Sequence, residues 1–492
     1  MSHLFDNKVY IEPSTGARIV SSVPSTPIQL GSGNLAILAE SKGGLTALDG
    51  VIYEYSRDNV GKLKDAIKGG LGLTFVDSAF APSNKYGGAQ RIFFVRTQVS
   101  TRATATITNS AATFVMETFD KGAYLSDATN GLKWKIIAGV VDNTKMILQL
   151  MIDGVTFWSS PETTNTYTAM KTAVEADATI YGKIIRSVTV SSGSQTFAVT
   201  GSFTVFTGGT DTAMAGTDVD AALDLLRVKE VDVIYIGSEN ATFHAKVTAH
   251  SLVDAEIPRI ACFGGALGET KAQVLARAAV LNSHKAILCY PGVKVLNETG
   301  TYDTKSPMYT AAYVAGLICG LPPQTPATYK PLAVGGFEIN ATDGELVKSE
   351  REELITGGVT FCRFISGIGF TINKAVTTLL ANSQMINSPG GESREVSIER
   401  IKNQLNKDLQ VGSRLLFVGG NVNTVGREDV VNYTKGYLTI KTATQTVDNL
   451  LISFLNVSAR LVDDAWFVDY GFVGNTPINH VFFTGAILRA NL

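Results

Sequence analysis

The sequence predicts a multidomain protein of mixed class: an α/β domain with a parallel sheet, an all-β domain inserted in it, a C-terminal α+β domain and extended arms at both ends. Three observations predict it. Apolar strands alternate with amphipathic helices at 34–97 and again from 209, the rhythm of parallel strands joined by helical crossovers. Between these parts, residues 98–208 are rich in Thr and Ser, and their apolar residues recur with period 2. Residues 1–33 and 481–492 lack helix signals and read as extended chain.

Taken in order, "VYIEPSTGARIVSSVPSTPIQLGSG" carries three prolines between short β-branched pieces, an arm rather than a domain. About 25 extended residues reach ~80 Å. Residues 34–97 open the α/β domain, with "NLAILAE" and "RIFFVRT" as buried strands and "NVGKLKDAIKGGL" as a short helix stopped by Gly. In 98–208, "TRATATIT", "KWKIIAGVV", "MILQLMID" and "TFAVTGSFTVFTGG" alternate as half-buried strands do. "TNTYTAMKTAVEAD" breaks that alternation as a helix.

Residues 209–355 return to α/β texture. "VDVIYIG", "PRIACFGG" and "KAILCYPG" are continuous apolar runs, the pattern of strands covered on both faces. The intervening helices are "TDVDAALDLLRVKE", "NATFHAKVTAHSLVDAE" with Asn240 as N-cap, "ETKAQVLARAAVLNS", and "SPMYTAAYVAGLICG" with Pro307 in its first turn. Residues 356–480 read as the α+β domain. Its helix at 394–410 places Ile398, Ile401, Leu405 and Leu409 on one face. The last segment, "VFFTGAILRANL", reads as a strand.

Composition narrows the function. Of 492 residues, 45% are hydrophobic and only 17% charged, below the usual quarter, so much of the surface is expected to be covered by other protein. Forty-two basic against 44 acidic residues make no overall field for nucleic acid or anionic lipid. Cys262, Cys289, Cys319 and Cys362 lie in apolar contexts without a CxxC pair and read as buried thiols of a reducing compartment. The N-terminus lacks a signal-peptide pattern, and the apolar stretch 311–323 is far short of the ~20 residues of a membrane span. A soluble protein, cytosolic when made, is expected.

Chemistry is hard to find. Strand-end glycines at 237–242, 263–271 and 290–294 are where an α/β sheet would hold a nucleotide or small ligand. None is GxGxxG, and after Gly264 the P-loop position holds Glu269, so tight turns are the plainer reading. His244 and His250 sit six apart on one helix and cannot chelate one metal as an i, i+4 pair would. The five histidines are expected to be isolated, and solvated or capped. No GxSxG elbow or Cys beside a base appears. The mixed charge run "DGELVKSEREE" (343–353) reads as a solvated helix face or an inter-subunit contact. Arg394, Arg400, Lys402 and Lys407 make the helix 394–410 mildly basic, either an exposed polar face or a dock for an acidic protein. No catalytic residue, metal ligand or cofactor-binding residue is expected. Loose strand-like ends are a hazard in a monomer and an asset in an assembly, where a donated strand completes a neighbour's sheet.

In their order along the chain, several blocks resemble the tail sheath proteins of contractile-tailed bacteriophages: "VYIEPSTGARIVSSVPS", "FTGGTDTAMAGTDVDAALDLLRVKEVDVIYI", "ARAAVLNSHKAILCYPGVKV", "SPMYTAAYVAGLICGLPP", "PATYKPLAVGGFEINATDGELVKSEREELITGGVTFCRFISGIGF", "REVSIERIKNQLNKDLQ" and "VFFTGAILRANL". The likeness spans most of 9–492 and is weak in 98–208. It implies a structural subunit, not an enzyme. Such subunits stack as hexameric rings around a tail tube, store energy in the extended lattice and contract to drive the tube through the host envelope. The implied partners are further copies of itself, the tail tube protein, and baseplate and neck or terminator proteins, with no direct nucleic acid contact, no membrane insertion and no cofactor. The implied location is the virion tail, assembled in the host bacterial cytoplasm. On this sequence the linking arms fall at Val9–Ser22 and Val481–Leu492, with Val9, Tyr10, Ile11, Ile19, Val20, Val481, Phe482, Phe483, Ile487 and Leu488 as strand-exchange residues. Residues 356–480 would face the tube, with Arg394, Arg400, Lys402 and Lys407 as its charges, and 98–208 would face outward. A sheath of a phage-derived bacteriocin or toxin-injection particle would read the same. An α/β enzyme with a ligand at the strand ends is the alternative from another class.

Overall fold

The computed structural model of the chain describes residues 3–5, 8–10, 33–253, 257–297, 299–380, 394–417, 426–442, 449–462 and 465–475. Strands β1 (His3–Phe5) and β2 (Lys8–Tyr10) form a short antiparallel hairpin. Strands β3 (Asn34–Ala39) and β4 (Tyr53–Ser56), helices α1 (Val60–Ile67) and α2 (Leu71–Phe80), and β5 (Arg91–Arg96) follow. The chain then builds β6 (Arg102–Asn109), β7 (Ala112–Lys121), β8 (Lys133–Ala138), β9 (Lys145–Ile152), β10 (Val155–Ser159), β11 (Thr163–Thr164), α3 (Tyr167–Ala176), β12 (Ile185–Val190) and β13 (Thr204–Val205). Next come α4 (Gly216–Leu226), β14 (Val233–Ile236), α5 (Ala241–Val253), β15 (Ile260–Gly264), α6 (Lys271–Leu281), β16 (Ala286–Tyr290), β17 (Val293–Leu296), β18 (Tyr302–Lys305), α7 (Pro307–Gly320), β19 (Gly336–Phe337), α8 (Lys348–Thr356), β20 (Val359–Ile365) and β21 (Gly369–Lys374). The described chain closes with α9 (Val396–Leu416), α10 (Arg427–Thr442), β22 (Leu451–Val462) and β23 (Ala465–Gly474).

Eight strands form one sheet in the order β21-β20-β16-β15-β14-β3-β5-β4. The six inner strands pair in parallel, and β4 and β21 are antiparallel edges. Alternate residues of each inner strand enter two separate cores. Leu35, Ile37, Tyr235 and Cys262 pack under α2 and α7, while Ala36, Leu38, Ile234 and Phe263 pack under α4, α5 and α6. Helix α7 is apolar all round because it is buried all round. Gly264 is required there, since a Cβ on it would fall 2.1 Å from the Pro307 backbone. The sequence reading missed α2. Gly69 and Gly70, at φ +93° and +89°, end α1's run and turn the chain straight into a second helix.

Residues between β5 and α4 form their own sheets, β10-β9-β8-β13 with β11 on β9, and β12-β7-β6. Strand β7 alternates buried and half-buried residues along its length, so each sheet has one inward face. Between the faces, Phe114, Tyr167 and Phe197 pack as an aromatic cluster, with ring centroids 4.6–5.7 Å apart. All four cysteines are buried free thiols. Among the described residues no helix is long and apolar enough to cross a membrane.

Candidate assembly surface

At the carboxyl ends of the parallel strands, the groups that would bind an anion are satisfied by the chain's own carboxylates. Glu338 accepts from the amides of Gly268 and Gly292 at 2.9 and 3.2 Å. Asp343 accepts from the amide of Lys271, the first residue of α6, and Thr270 caps the same helix at Gln273 N. Glu269 and Arg277 pair over Gly265, and Arg277 also donates to Glu239 O at 3.0 Å. At the switch point between β3 and β14, Phe75 fills the place of a Cβ on Gly237, and Glu40 accepts from Met214 N at 2.8 Å. A helix N-terminus already carrying a carboxylate has no vacant anion site. The candidate loops 263–271 and 290–294 are thus turns held by internal carboxylates, and in 237–242 the side chains of Ser238 and Asn240 accept from the amides of Asn240 and Thr242. Among the described residues, no group of three or more His, Cys, Asp or Glu is placed to hold a metal.

The histidine expectation needs correction at His244. It is not solvated; it is buried and stacked on Phe263 at 4.4 Å, with planes 6° apart. Its Nε2 lies 2.7 Å from Ser238 O, to which it donates. Burial pushes its pKa down to about 4, against which the Ser238 bond acts, so the ring is neutral. The charge run 343–353 is also only partly solvated. Glu350 and Glu353 reach Lys271 of α6 at 3.5 and 2.8 Å, whereas Lys348 and Glu352 stay in solvent.

The C-terminal unit is built on α9, a helix with two different faces. At 100° per residue, Ile398, Ile401, Leu405 and Asp408 fall within an arc of about 80°, and Glu399, Arg400, Asn403 and Lys407 fall in an arc roughly opposite. The first face packs on α10 and the β22–β23 hairpin. Ile398, Ile401 and Leu405 meet Leu438, Leu450 and Leu451, and Asp408 accepts from Tyr437 Oη at 2.7 Å. Gly412 is needed on this side, because a Cβ there would overlap the Tyr433 hydroxyl.

Of the basic residues singled out in the sequence, Arg400 and Lys407 lie on the second face, Arg394 just precedes the helix, and Lys402 lies between the two faces. Arg394 is buried and donates to Ile355 O at 3.2 Å and to Thr356 O, at the carboxyl end of α8. Arg400 donates to Leu321 O at 2.6 Å and Pro322 O at 3.1 Å, just past α7. Each guanidinium therefore adds donors to carbonyls at or just past a helix C-terminus, where the dipole favours a cation. Burial lowers the pKa of both. Lys402 pairs with Glu399 at 3.1 Å, and Lys407 with Glu230 at 3.5 Å. The two arginines are engaged inside the chain, and the two lysines keep some exposure. Sequence reading missed their partners. Glu399 is fully buried 2.6 Å from Lys285, Glu395 pairs with Lys374 at 3.2 Å, and Lys285 also meets Asn403. The one sequence signal was charge of both signs on the face opposite the apolar stripe.

Strands β22 and β23 form a two-stranded sheet whose outer edges pair with no other strand among the described residues. One side, including Ala459, Trp466, Val468 and Phe472, covers the helices. The other exposes Ile452, Leu455, Phe467 and Val473, with Arg460 over the Phe467 ring at 4.8 Å. Of the strand-exchange residues, Val9 and Tyr10 pair with Leu4 and His3 in the N-terminal hairpin. Ile11, Ile19, Val20, Val481, Phe482, Phe483, Ile487 and Leu488 lie outside the described residues.

No model of a known protein family matches the chain. Over 263 residues it is 23% identical to the tail sheath protein of Bacillus phage SP01, covering 53% of this chain and 43% of that protein. Over 206 residues it is 25% identical to the tail sheath protein of Staphylococcus phage Twort, covering 41% and 32%. The matched stretch spans less than half the length of either relative. In fold, it resembles a sheath tail protein from Desulfitobacterium hafniense, with TM-score 0.61, 15% identity, and 95% of this chain and 100% of that one covered. A sheath tail protein from Listeria innocua gives TM-score 0.59 and 16% identity, with 90% and 95% covered. Two independent likenesses, one in residues and one in fold, are thus to the same kind of protein, and this chain is similar to phage tail sheath proteins.

Proposed function

We propose that the chain is the repeating, non-enzymatic subunit of a contractile tail sheath, stacked in hexameric rings around a tail tube, in a virion tail assembled in the bacterial cytoplasm. One observation carries the reading beyond similarity: the β22–β23 hairpin. An isolated two-stranded sheet is marginal in water, and an open edge is a template for another strand. This one is twelve and ten residues long and displays apolar side chains on its open face. Donated strands from Val9–Ser22 and Val481–Leu492 of neighbouring copies would complete it, each main-chain bond contributing about 0.5–1.5 kcal/mol net.

Such a mesh stays connected while the polar surfaces of the subunits slide, so contraction would draw on lattice energy without nucleotide. The carboxylate-filled strand ends favour this over a nucleotide-binding enzyme. A tube-facing role for the helix 394–410 would rest on Lys402, since Arg394 and Arg400 are turned inward and Lys407 pairs with Glu230 of the α/β body. Negative-stain microscopy of the purified chain tests the reading. Tubes or ring stacks are expected, and a folded, soluble, non-polymerising chain once 481–492 are deleted. A monodisperse monomer at every concentration refutes the sheath assignment. Tubes formed by the truncated chain refute the arm.

A further inference from the structure

The two faces of α9 carry a consequence for how the chain moves. Helices usually turn their apolar face to the main core. Here that face belongs to the small C-terminal unit, and the charged face lies against the α/β body. Across this contact, Glu395–Lys374, Glu399–Lys285, Asn403–Lys285, Lys407–Glu230 and the two arginines on carbonyls supply the fastening. His284 also approaches Glu399, at 3.8 Å. A gap of about 30 Å³ remains in the contact, lined by Asp232, Pro258, Pro323, Arg400 and Asn403, room for a water molecule. Val396 alone on this side enters the α/β core, at the first residue of the helix.

We propose that α9 is a joint: the unit of α9, α10 and the hairpin swings as one body about Val396, opening the charged contact without unfolding either side. Charged groups lose little on returning to water, because the solvation regained offsets the pairing lost. An apolar contact of equal extent would resist opening. The apolar face that holds the moving unit together is not broken in the process. This inference goes beyond the sheath reading and does not depend on it.

The test measures a distance. Spin labels at V228C in the body and L415C on α9 use positions that are each 81% exposed, and the native thiols are buried. V228C with V280C, 80% exposed on α6, is the control pair within the body. Labelled chain is diluted into unlabelled chain, so that distances within one molecule dominate. In about 50 mM salt a single narrow distance is expected for V228C/L415C, broadening at about 1 M, where the Debye length is ~3 Å. E399Q strands the Lys285 ammonium and should raise the displaced population at least tenfold at low salt. Replacing the pair by apolar isosteres, E399L with K285M, should hold one narrow distance at both salts. The control distance stays fixed throughout. An unchanged V228C/L415C distance in both E399Q and high salt overturns the joint. So does loss of the control distance in E399Q, which would make these charges part of the body's own fold.

Discussion

Arg96 is predicted to hold the β-rich insert in place, and Arg96→Met should release it. The guanidinium is at 0% exposure at the end of β5, where the chain leaves the main sheet. It donates to Gly44 O at 2.6 Å, to Lys121 O at 2.9 Å and to Asp211 at 2.7 Å. These acceptors lie in the loop after β3, at the end of β7 and on the segment returning from the insert. Asp211 further accepts from Ser100 Oγ at 2.6 Å and Ala123 N at 3.0 Å.

Removing one partner of a buried pair costs about 3–5 kcal/mol. Asp211 keeps two donors and 23% exposure, so the lower end applies, about 3 kcal/mol. At 1.4 kcal/mol per decade that is roughly a hundredfold more opening of the junction. The junction's amide bonds are Thr101 N to Thr210 O, Thr104 N to Thr207 O and Thr212 N to Val99 O. Hydrogen exchange read by mass spectrometry should show their protection fall about a hundredfold in R96M, while the interior of β7 and β9 keeps its own. In a double-mutant cycle, adding D211N should cost little more, because the stranded carboxylate is gone. A change under about threefold at the junction, or equal loss across insert and body, refutes the assignment.

Two further outcomes follow from buried titratable groups. His244 has its folded pKa depressed to about 4 from 6.5, so the unfolded chain binds the extra proton between those values and stability falls as pH drops through that window. The shift corresponds to about 3 kcal/mol at most. Urea midpoints should decline from pH 6.5 to 4 in the wild type and less steeply in H244Q; parallel slopes refute it. Burial pushes the thiols of Cys289, Cys319 and Cys362 upward, so a thiol reagent should titrate none of the four in the native protein and all four in denaturant. Fast native labelling refutes the packing described.

Segments whose structure follows a local pattern were legible. "NLAILAE", "VDVIYIG" and "KAILCYPG" are β3, β14 and β16, and "TNTYTAMKTAVEAD" is α3. Helix α2 was not, because "LGLTFVDSAF" lies between the sheet and α7 and shows no clean polar stripe. The meaning of Arg394 and Arg400 was illegible for another reason. Helical periodicity says which residues share a face, not what lies opposite, and their acceptors are backbone carbonyls that carry no residue identity. The small sheet of β17, β18 and β19 escaped because its strands are two to four residues long. His244 shows the limit of counting polar residues. The stacking ring of Phe263 comes from the next strand and leaves no mark around position 244.

The chain treats its two junctions differently, and the difference is mechanical. At the insert, a cation with no exposure is tied to three segments and backed by backbone bonds between the outgoing and returning strands. Opening it strands buried groups at once, so insert and body should move together. At α9, the contact is a row of ion pairs, buried at Glu395 and Glu399 and exposed toward Glu230, beside a water-sized gap and pinned at one end by Val396. Opening it exchanges paired charges for hydrated ones in small steps. Beyond α9 lies the hairpin with open edges, the element on which the sheath proposal depends. If neighbours grip the chain there, displacement passes through α9 before it reaches the body. A stiff connection at that point would force strand exchange and body packing to change in concert; a polar joint lets the linked strands stay paired while the bodies repack.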